Sequence, residues 1–269
     1  MFDYNTHKDF GSGDRICYHG VMDMFRNPKL AASVYACEQD EIPVLQITSS
    51  MDIGEHPGCN RGNLYILSNA DSVRMYKNDR FIKEYRPEMS PYKHLKHGPI
   101  LIDDFIGDAL EKNERFRPKH AKEMADAMNI VARGSLNHIP KRLYPTALKL
   151  ALLYHIDFAE VTKLYTKYIG DWGGTATVYR FDAIKNGKVI KSVTKEPVNG
   201  IRLQAEADHT NLTEHHSYDV ALVRIRAVDA HGNVLPFYQE PVRITAEGDI
   251  AIIGPDTIAS VSYTHLTLP

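Results

Sequence analysis

The chain has 269 residues, 43% of them hydrophobic, with 32 basic against 34 acidic side chains. That length and apolar content suit two or three small globular domains with ordinary cores. The balanced charge, with no block of one sign, gives no support to a nucleic-acid or membrane-surface partner, and no apolar run approaches the roughly 20 residues of a membrane helix.

The opening "MFDYNTHKDF" has neither the basic region nor the apolar stretch of a secretory signal. The cysteines Cys17, Cys37 and Cys59 are odd in number and irregularly spaced, which fits a reducing cytoplasm better than a disulfide framework. Met1–Tyr4 is a short apolar segment, followed by a loop whose flexible part is Phe10–Arg15. A helix is expected from Pro28, capped by Asn27, with Leu30, Ala31, Val34 and Tyr35 on one face, fading near Gln39. Residues 1–40 therefore read as one strand-loop-helix unit.

Short β-prone segments follow: Val44–Ser50, Asn63–Asn69, Ser72–Asn78, Arg80–Arg86 and Pro99–Asp104. The turn residues between them, Asn78-Asp79 among them, predict an antiparallel sandwich over 41–106. Residues 107–172 predict a helical insert. Pro118 opens a helix with Ala121, Met124, Ala125, Met128 and Val131 on one face; Pro145 opens another, striped by Leu148, Ala151 and Leu152. Asp157 and Glu160 form a capping-box-like pair ahead of Val161, Leu164, Tyr165 and Tyr168. Strands return over 173–260, where Asn186-Gly187 marks a type I′ hairpin and Gly232-Asn233 a second turn after Val223, Ile225 and Ala227. The expected fold is mainly β with a helical insert, the strands forming two separate sandwiches.

Two stretches carry a resemblance to a known family. After Phe2-Asp3, the segment "GVMDMFRNPKLAASVYA" places Gly20, Asp23, Arg26, Pro28 and Lys29 as they stand at the end of the catalytic barrel in glycoside hydrolase family 2. Its β-galactosidase-like members are the nearest in pattern. The later "WGGTATVYRFDAIKNGKVIKSV" and "YDVALVRIRAVDAHGNVLPFYQEPV" are similar to the immunoglobulin-like C-terminal region of these enzymes. The resemblance implies that residues 1–40 are the last strand-loop-helix unit of a (β/α)8 barrel, followed by two immunoglobulin-like sandwiches. It implies a retaining glycosidase acting on terminal β-galactosides, whose two glutamates, roughly 5 Å apart, would lie upstream of Met1. The chain would then be an inactive C-terminal fragment. The barrel tryptophan would precede Met1, and Val261–Pro269 departs from the family and reads as an artefactual tail.

The resemblance makes His19 and Asp3 the candidate substrate-binding residues. The position before Gly20 faces the C6 end of the sugar in relatives, and a histidine there can donate or accept a hydrogen bond with a hydroxyl, or simply pack. Asp3, at the end of a barrel strand, would bind a sugar hydroxyl or order the loop. Arg15, Asp23 and Arg26 read as loop-fixing ion pairs. The cluster Asp208, His209, His215 and His216 matches no zinc spacing and reads as a polar inter-strand loop. Glu111/Glu114 and Glu38/Asp40/Glu41 read as solvated acids. Trp172 either stacks on a sugar or packs at a junction. No residue pattern calls for a metal or other cofactor. The expected partner is the carbohydrate substrate of the parent enzyme, with oligomerisation left open and a leader upstream of Met1 not excluded. The competing reading is a non-catalytic β-sandwich module that binds carbohydrate or protein; a third, enzymatic use of the histidine-rich loop, has the least support.

Overall fold

The structure is a computed structural model that describes residues 1–5, 16–24, 26–134, 140–154, 157–171, 176–235 and 238–259. It divides into two compact units, one of residues 28–197 and one of 1–27 with 198–269. The chain is mainly β with helices.

In the larger unit, α1 (Leu30–Ala36) leads into β3 (Leu45–Ile47), β1 and β2 being the short strands Tyr4–Asn5 and Ile16–Cys17 of the other unit. Next come β4 (Tyr65–Ser68), β5 (Ser72–Lys77), β6 (Arg80–Tyr85) and β7 (Ile100–Leu101). The helices α2 (Ala109–Glu114), α3 (Pro118–Arg133), α4 (Tyr144–Tyr154) and α5 (Phe158–Tyr165) precede the hairpin β8 (Tyr179–Lys185) and β9 (Lys188–Lys195). Two antiparallel sheets result, β3-β4-β7 and β6-β5-β8-β9. Their inward residues share one core, with Leu45, Ile47, Ile66 and Ile100 from the first sheet and Val73, Met75, Tyr179 and Phe181 from the second. Burying each such side chain contributes roughly 1.5–3 kcal/mol.

The expected boundary before the second sandwich is corrected here. The hairpin β8–β9 does not begin a separate body: Ser72 to Lys77 pair antiparallel with Ile184 to Tyr179, so β8 completes the sheet begun by β5 and β6. Alternation over Thr177–Asp182 marks a strand but says nothing about which strand it pairs with. The turn chemistry was sound: Asn186 and Gly187 both have positive φ, as do Asn78 and Asp79 between β5 and β6, which is what type I′ turns require.

The helices also join this core. Ala121, Met124, Ala125 and Met128 of α3 are buried as the spacing predicts, and Asp157 accepts the Glu160 amide at 2.7 Å as the cap of α5. The stripe on α4 runs the other way. Leu148 and Leu152 are 60% and 64% exposed while Leu143 and Leu150 turn inward. This helix is apolar on most sides, and its Lys149 pairs with Glu123 of α3. The α1 cap differs too. Asn27 does not cap; Lys29 occupies that place without a side-chain hydrogen bond, and no residue of α1 is buried.

The insert is tied to the sheets at Arg61, 4% exposed. Its amide and that of Gly62 donate to the Ala132 carbonyl at the end of α3 (2.7 and 3.1 Å). Its guanidinium donates to the carbonyls of Ile169 (Nη2, 2.7 Å) and Met51 (Nη1, 3.0 Å) and pairs with Asp171. Lys77 of β5 donates to the Tyr168 carbonyl and to Asp171, both at 2.7 Å. Two cations thus cap the carbonyl end of the π turn Thr166–Gly170 that follows α5.

In the other unit, β10 (Arg202–Ala207) pairs with β11 (Val223–Val228), and β12 (Pro241–Arg243) with β13 (Thr257–Ala259). Strand β10 was not anticipated, although Leu203, Ala205 and Ala207 alternate with Arg202, Gln204 and Glu206. They face Ala227, Ile225 and Val223 across the ribbon, leaving one apolar face and one charged one.

Replacing Arg61 by Met would leave two buried carbonyls without donors and remove one cation from buried Asp171. We expect Arg61→Met to lower stability by about 3–5 kcal/mol, read as a fall in the urea midpoint. A change below about 1 kcal/mol would show the guanidinium to be idle.

Candidate functional site

The site residues expected near the start of the chain are brought together by backbone pairing. Asp3 donates its amide to the Met22 carbonyl at 2.9 Å, Met22 donates to Met1 at 3.3 Å, and Phe2 and Met22 form a parallel bridge. Asp3 is 1% exposed, and its Oδ1 accepts the Gly20 amide at 2.8 Å. The two segments approach so closely that a Cβ on Gly20 would sit 2.3 Å from the Asp3 nitrogen and the Phe2 carbonyl carbon. Only glycine fits there. Tyr4 and Asn5 then pair antiparallel with Cys17 and Ile16.

A second turn closes the segment. Asp23, also buried, accepts from the Asn27 amide and its Nδ2, both at 2.8 Å. The Asp23 amide donates to the Asn27 carbonyl at 2.9 Å. Asn27 thus gives both its amide and its side-chain Nδ2 to Asp23, while α1 begins further on with Lys29 in the cap place. Arg26 adopts a left-handed conformation (φ 67°), donates to the Met24 carbonyl, and lays its guanidinium 3.2 Å above the Phe2 ring. This cation–π contact, rather than a chain of ion pairs, is what Arg26 adds to the turn. His19 is exposed beside these anchored residues. Arg15, Trp172 and Val261–Pro269 lie outside the described residues.

The acidic groups expected to be solvated divide. Glu114 accepts from Lys167 at 2.7 Å and Tyr168 at 2.6 Å, and the Lys167 and Tyr168 hydrogen bonds hold its carboxyl below the usual range. Glu38 accepts the amides of Lys96 and His97 at 3.2 and 3.1 Å. Asp40 pairs with Lys96 and Lys185, whose hydrogen bonds pull it down to about 2. In the loop between β10 and β11, His209 contacts Asp208 at 2.8 Å and Asp219 at 3.8 Å, and each carboxylate also accepts loop amides. Among the described residues no three His, Cys, Asp or Glu side chains are grouped to hold a metal ion. All three cysteines are free, and burial pushes the Cys37 thiol up to about 12. Sequence reasoning missed the buried Arg61–Asp171–Lys77 cluster, in which Asp171 lies 110 and 94 positions beyond the two cations. No helix among the described residues is long and apolar enough to cross a membrane.

No family model matches the chain. A β-galactosidase of Thermoanaerobacterium thermosulfurigenes is 31% identical over 267 residues, covering 97% of this chain. The chain is a homologue of β-galactosidases. It spans 29% of the length of that relative. A β-galactosidase of Rhizobium meliloti is 24% identical over 262 residues, 96% of this chain and 27% of that protein. A solved β-glycosidase from Bacteroides vulgatus is 12% identical, with a TM-score of 0.48 over 89% of this chain and 21% of that one.

Asp3 Oδ1 holds the Gly20 amide and so braces the loop that carries His19. The close approach at Gly20 is the part most sensitive to change. We expect Gly20→Ala to separate the two segments, so that the amides of Asp3 and Met22 lose hydrogen-exchange protection while those of β5 and β8 keep theirs. Unchanged protection at Asp3 and Met22 would refute the packing described for Gly20.

Proposed function

We propose that this chain is part of a retaining glycoside hydrolase, and specifically of a β-galactosidase that hydrolyses terminal β-D-galactosides. The observation that carries the reading is the continuous 31% identity with a β-galactosidase through 97% of the chain. Because the chain spans 29% of that relative, we place both catalytic glutamates in the remaining part of the enzyme, which leaves this part inactive by itself. In this reading residues 1–40 supply the last strand-loop-helix unit of the barrel. The two sheets of the larger unit form an immunoglobulin-like sandwich that includes the hairpin at 179–195 and holds the helical insert between its strands. The ribbons after residue 198 belong to a second such domain. The enzyme acts in the cytoplasm on a carbohydrate and needs no cofactor from this segment.

His19 is the side chain we assign to the sugar. It is exposed and follows a short strand pair, and its neighbour Gly20 is held by Asp3 at 2.8 Å. An imidazole so placed can donate to or accept from a hydroxyl, and Asp3 contributes by fixing the backbone from which it projects.

Two preparations test this. The purified chain should give no turnover of a chromogenic β-galactoside. A chimera in which this chain replaces the aligned 267 residues of the Thermoanaerobacterium thermosulfurigenes enzyme should hydrolyse it, and His19→Ala in that chimera should raise KM about tenfold, the loss of one substrate hydrogen bond. Turnover by the chain alone, abolished by a substitution within it, would overturn the assignment of the glutamates. A folded chimera whose KM ignores His19→Ala would remove His19 from the site.

A further inference from the structure

The segment after α1 is fastened to the sheets by three charged or polar contacts around one buried histidine. Glu38 accepts the Lys96 and His97 amides. Asp40 pairs with Lys96 on the same loop and with Lys185 at the end of β8 (3.1 Å). Asn69 donates to the carbonyls of Gln39 and Ile42 (2.7 and 2.9 Å) and accepts the Val44 amide (2.8 Å). His97 lies inside this clasp, 8% exposed, and neither ring nitrogen has a hydrogen-bond partner. Its Nε2 is 3.9 Å from an Asp40 oxygen, beyond hydrogen-bond reach.

A buried imidazole without partners is tolerable when neutral and costly when charged. The groups that face it are mixed. Glu38 and Asp40, from the segment after α1, favour the charged ring; Lys96 on its own loop and Lys185 from β8 oppose it. Both acids are already occupied, Glu38 by two amides and Asp40 by two lysines. We propose that His97 is a proton-sensitive latch: the clasp between the segment after α1 and the 90–99 loop is closed while the ring is neutral and opens when the ring takes up a proton.

The sign follows from linkage. Burial, then Lys96, holds the ring below the usual imidazole range in the closed state, whereas in the open state it titrates near 6.5. The open state therefore binds protons more readily. The stability of the closed clasp is complete above about 6.5 and is lost as pH falls from there to the lower, closed-state value, below which it changes no further. Asp40 cannot drive this change, because its carboxyl stays ionised down to about 2. The latch sets how firmly α1 is held against the sheet, whatever the reaction of the whole enzyme.

The test is an NMR titration of the full chain from pH 8 to 5, following the His97 ring and the amides of Glu38, Lys96 and His97, with exchange protection corrected for the intrinsic pH dependence. We expect a ring midpoint below 6.5 in the wild type. The open fraction at the clasp should rise by up to about tenfold per pH unit on the descending side, while amides of β5 and α3 hold. His97→Phe should keep the clasp closed at pH 5, and His94→Gln in the same loop should leave the wild-type response intact. Clasp protection that is flat with pH in the wild type, or a ring that titrates at or above 6.5, would overturn the proposal. So would an opening that persists unchanged in His97→Phe.

Discussion

Arg61 is the residue on which the larger unit depends. A guanidinium is always charged, and burying it is tolerable only where acceptors meet it on several sides. Here the acceptors are the carbonyls of Met51 and Ile169 and the Asp171 carboxylate, while the residue's own amide serves the end of α3. Three separate pieces of chain must be in place at once: the loop at 51, the end of α3, and the π turn after α5 with Asp171 just beyond it. The neighbouring Asn60 extends the same logic, accepting the Tyr165 hydroxyl at 2.7 Å, and burial pushes that phenol up to about 12. The helical insert is therefore keyed into the sheets by polar contacts with fixed directions, and the apolar contacts of Met124, Met128, Tyr168 and Ile169 fill the space that those contacts define.

The same cluster reaches the second sheet. Lys77 of β5 shares Asp171 with Arg61, and Tyr179 of β8, fully buried, donates its hydroxyl to that carboxylate at 3.2 Å. Both cations also lie about one ring's width from Tyr179, at 5.6 Å for Arg61 and 5.4 Å for Lys77. The end of the insert is thus tied to β5 and to β8, the strand that follows it in sequence. The same sheet is the one in which β8 pairs with β5. At the start of the chain a different constraint operates, the close backbone approach at Gly20, and the charged side chains Asp3, Asp23 and Arg26 are disposed around it as hydrogen-bond acceptors and a ring contact.

Much of the local structure could be read from residue order, because it is decided by neighbours. Type I′ turns at Asn186-Gly187, the Asp157 cap of α5 and the buried face of α3 all rest on spacings of one to four residues. What could not be read depends on partners far away in sequence. Alternation identifies β8 as a strand without naming β5 as its neighbour. The α4 stripe is ambiguous because the helix is apolar on most sides, so its periodicity leaves the rotation open. Asn27 suits a helix cap by residue type, but the helix starts later, at Leu30, and Asn27 donates to Asp23 in the turn before it. Of the site, Asp3, Gly20 and Asp23 could be found from their order in a recognisable segment, and the structure adds why glycine is needed there. The Arg61 cluster carried no sequence signal, since a lone Arg or Asp in a polar loop and a Lys at a strand end look like solvated charges.

The central claim is that the insert and the two sheets of the larger unit are one cooperative body, keyed at Arg61. Native-state hydrogen exchange in low concentrations of denaturant tests it most directly, by comparing the slowest amides of α3 with those of β5 and β8. A single body predicts that all three merge into one global opening, with the same free energy and the same dependence on denaturant. An α3 that opens at clearly lower free energy, with a shallower denaturant dependence and with the strands still protected, would contradict the account and make the insert an independent domain.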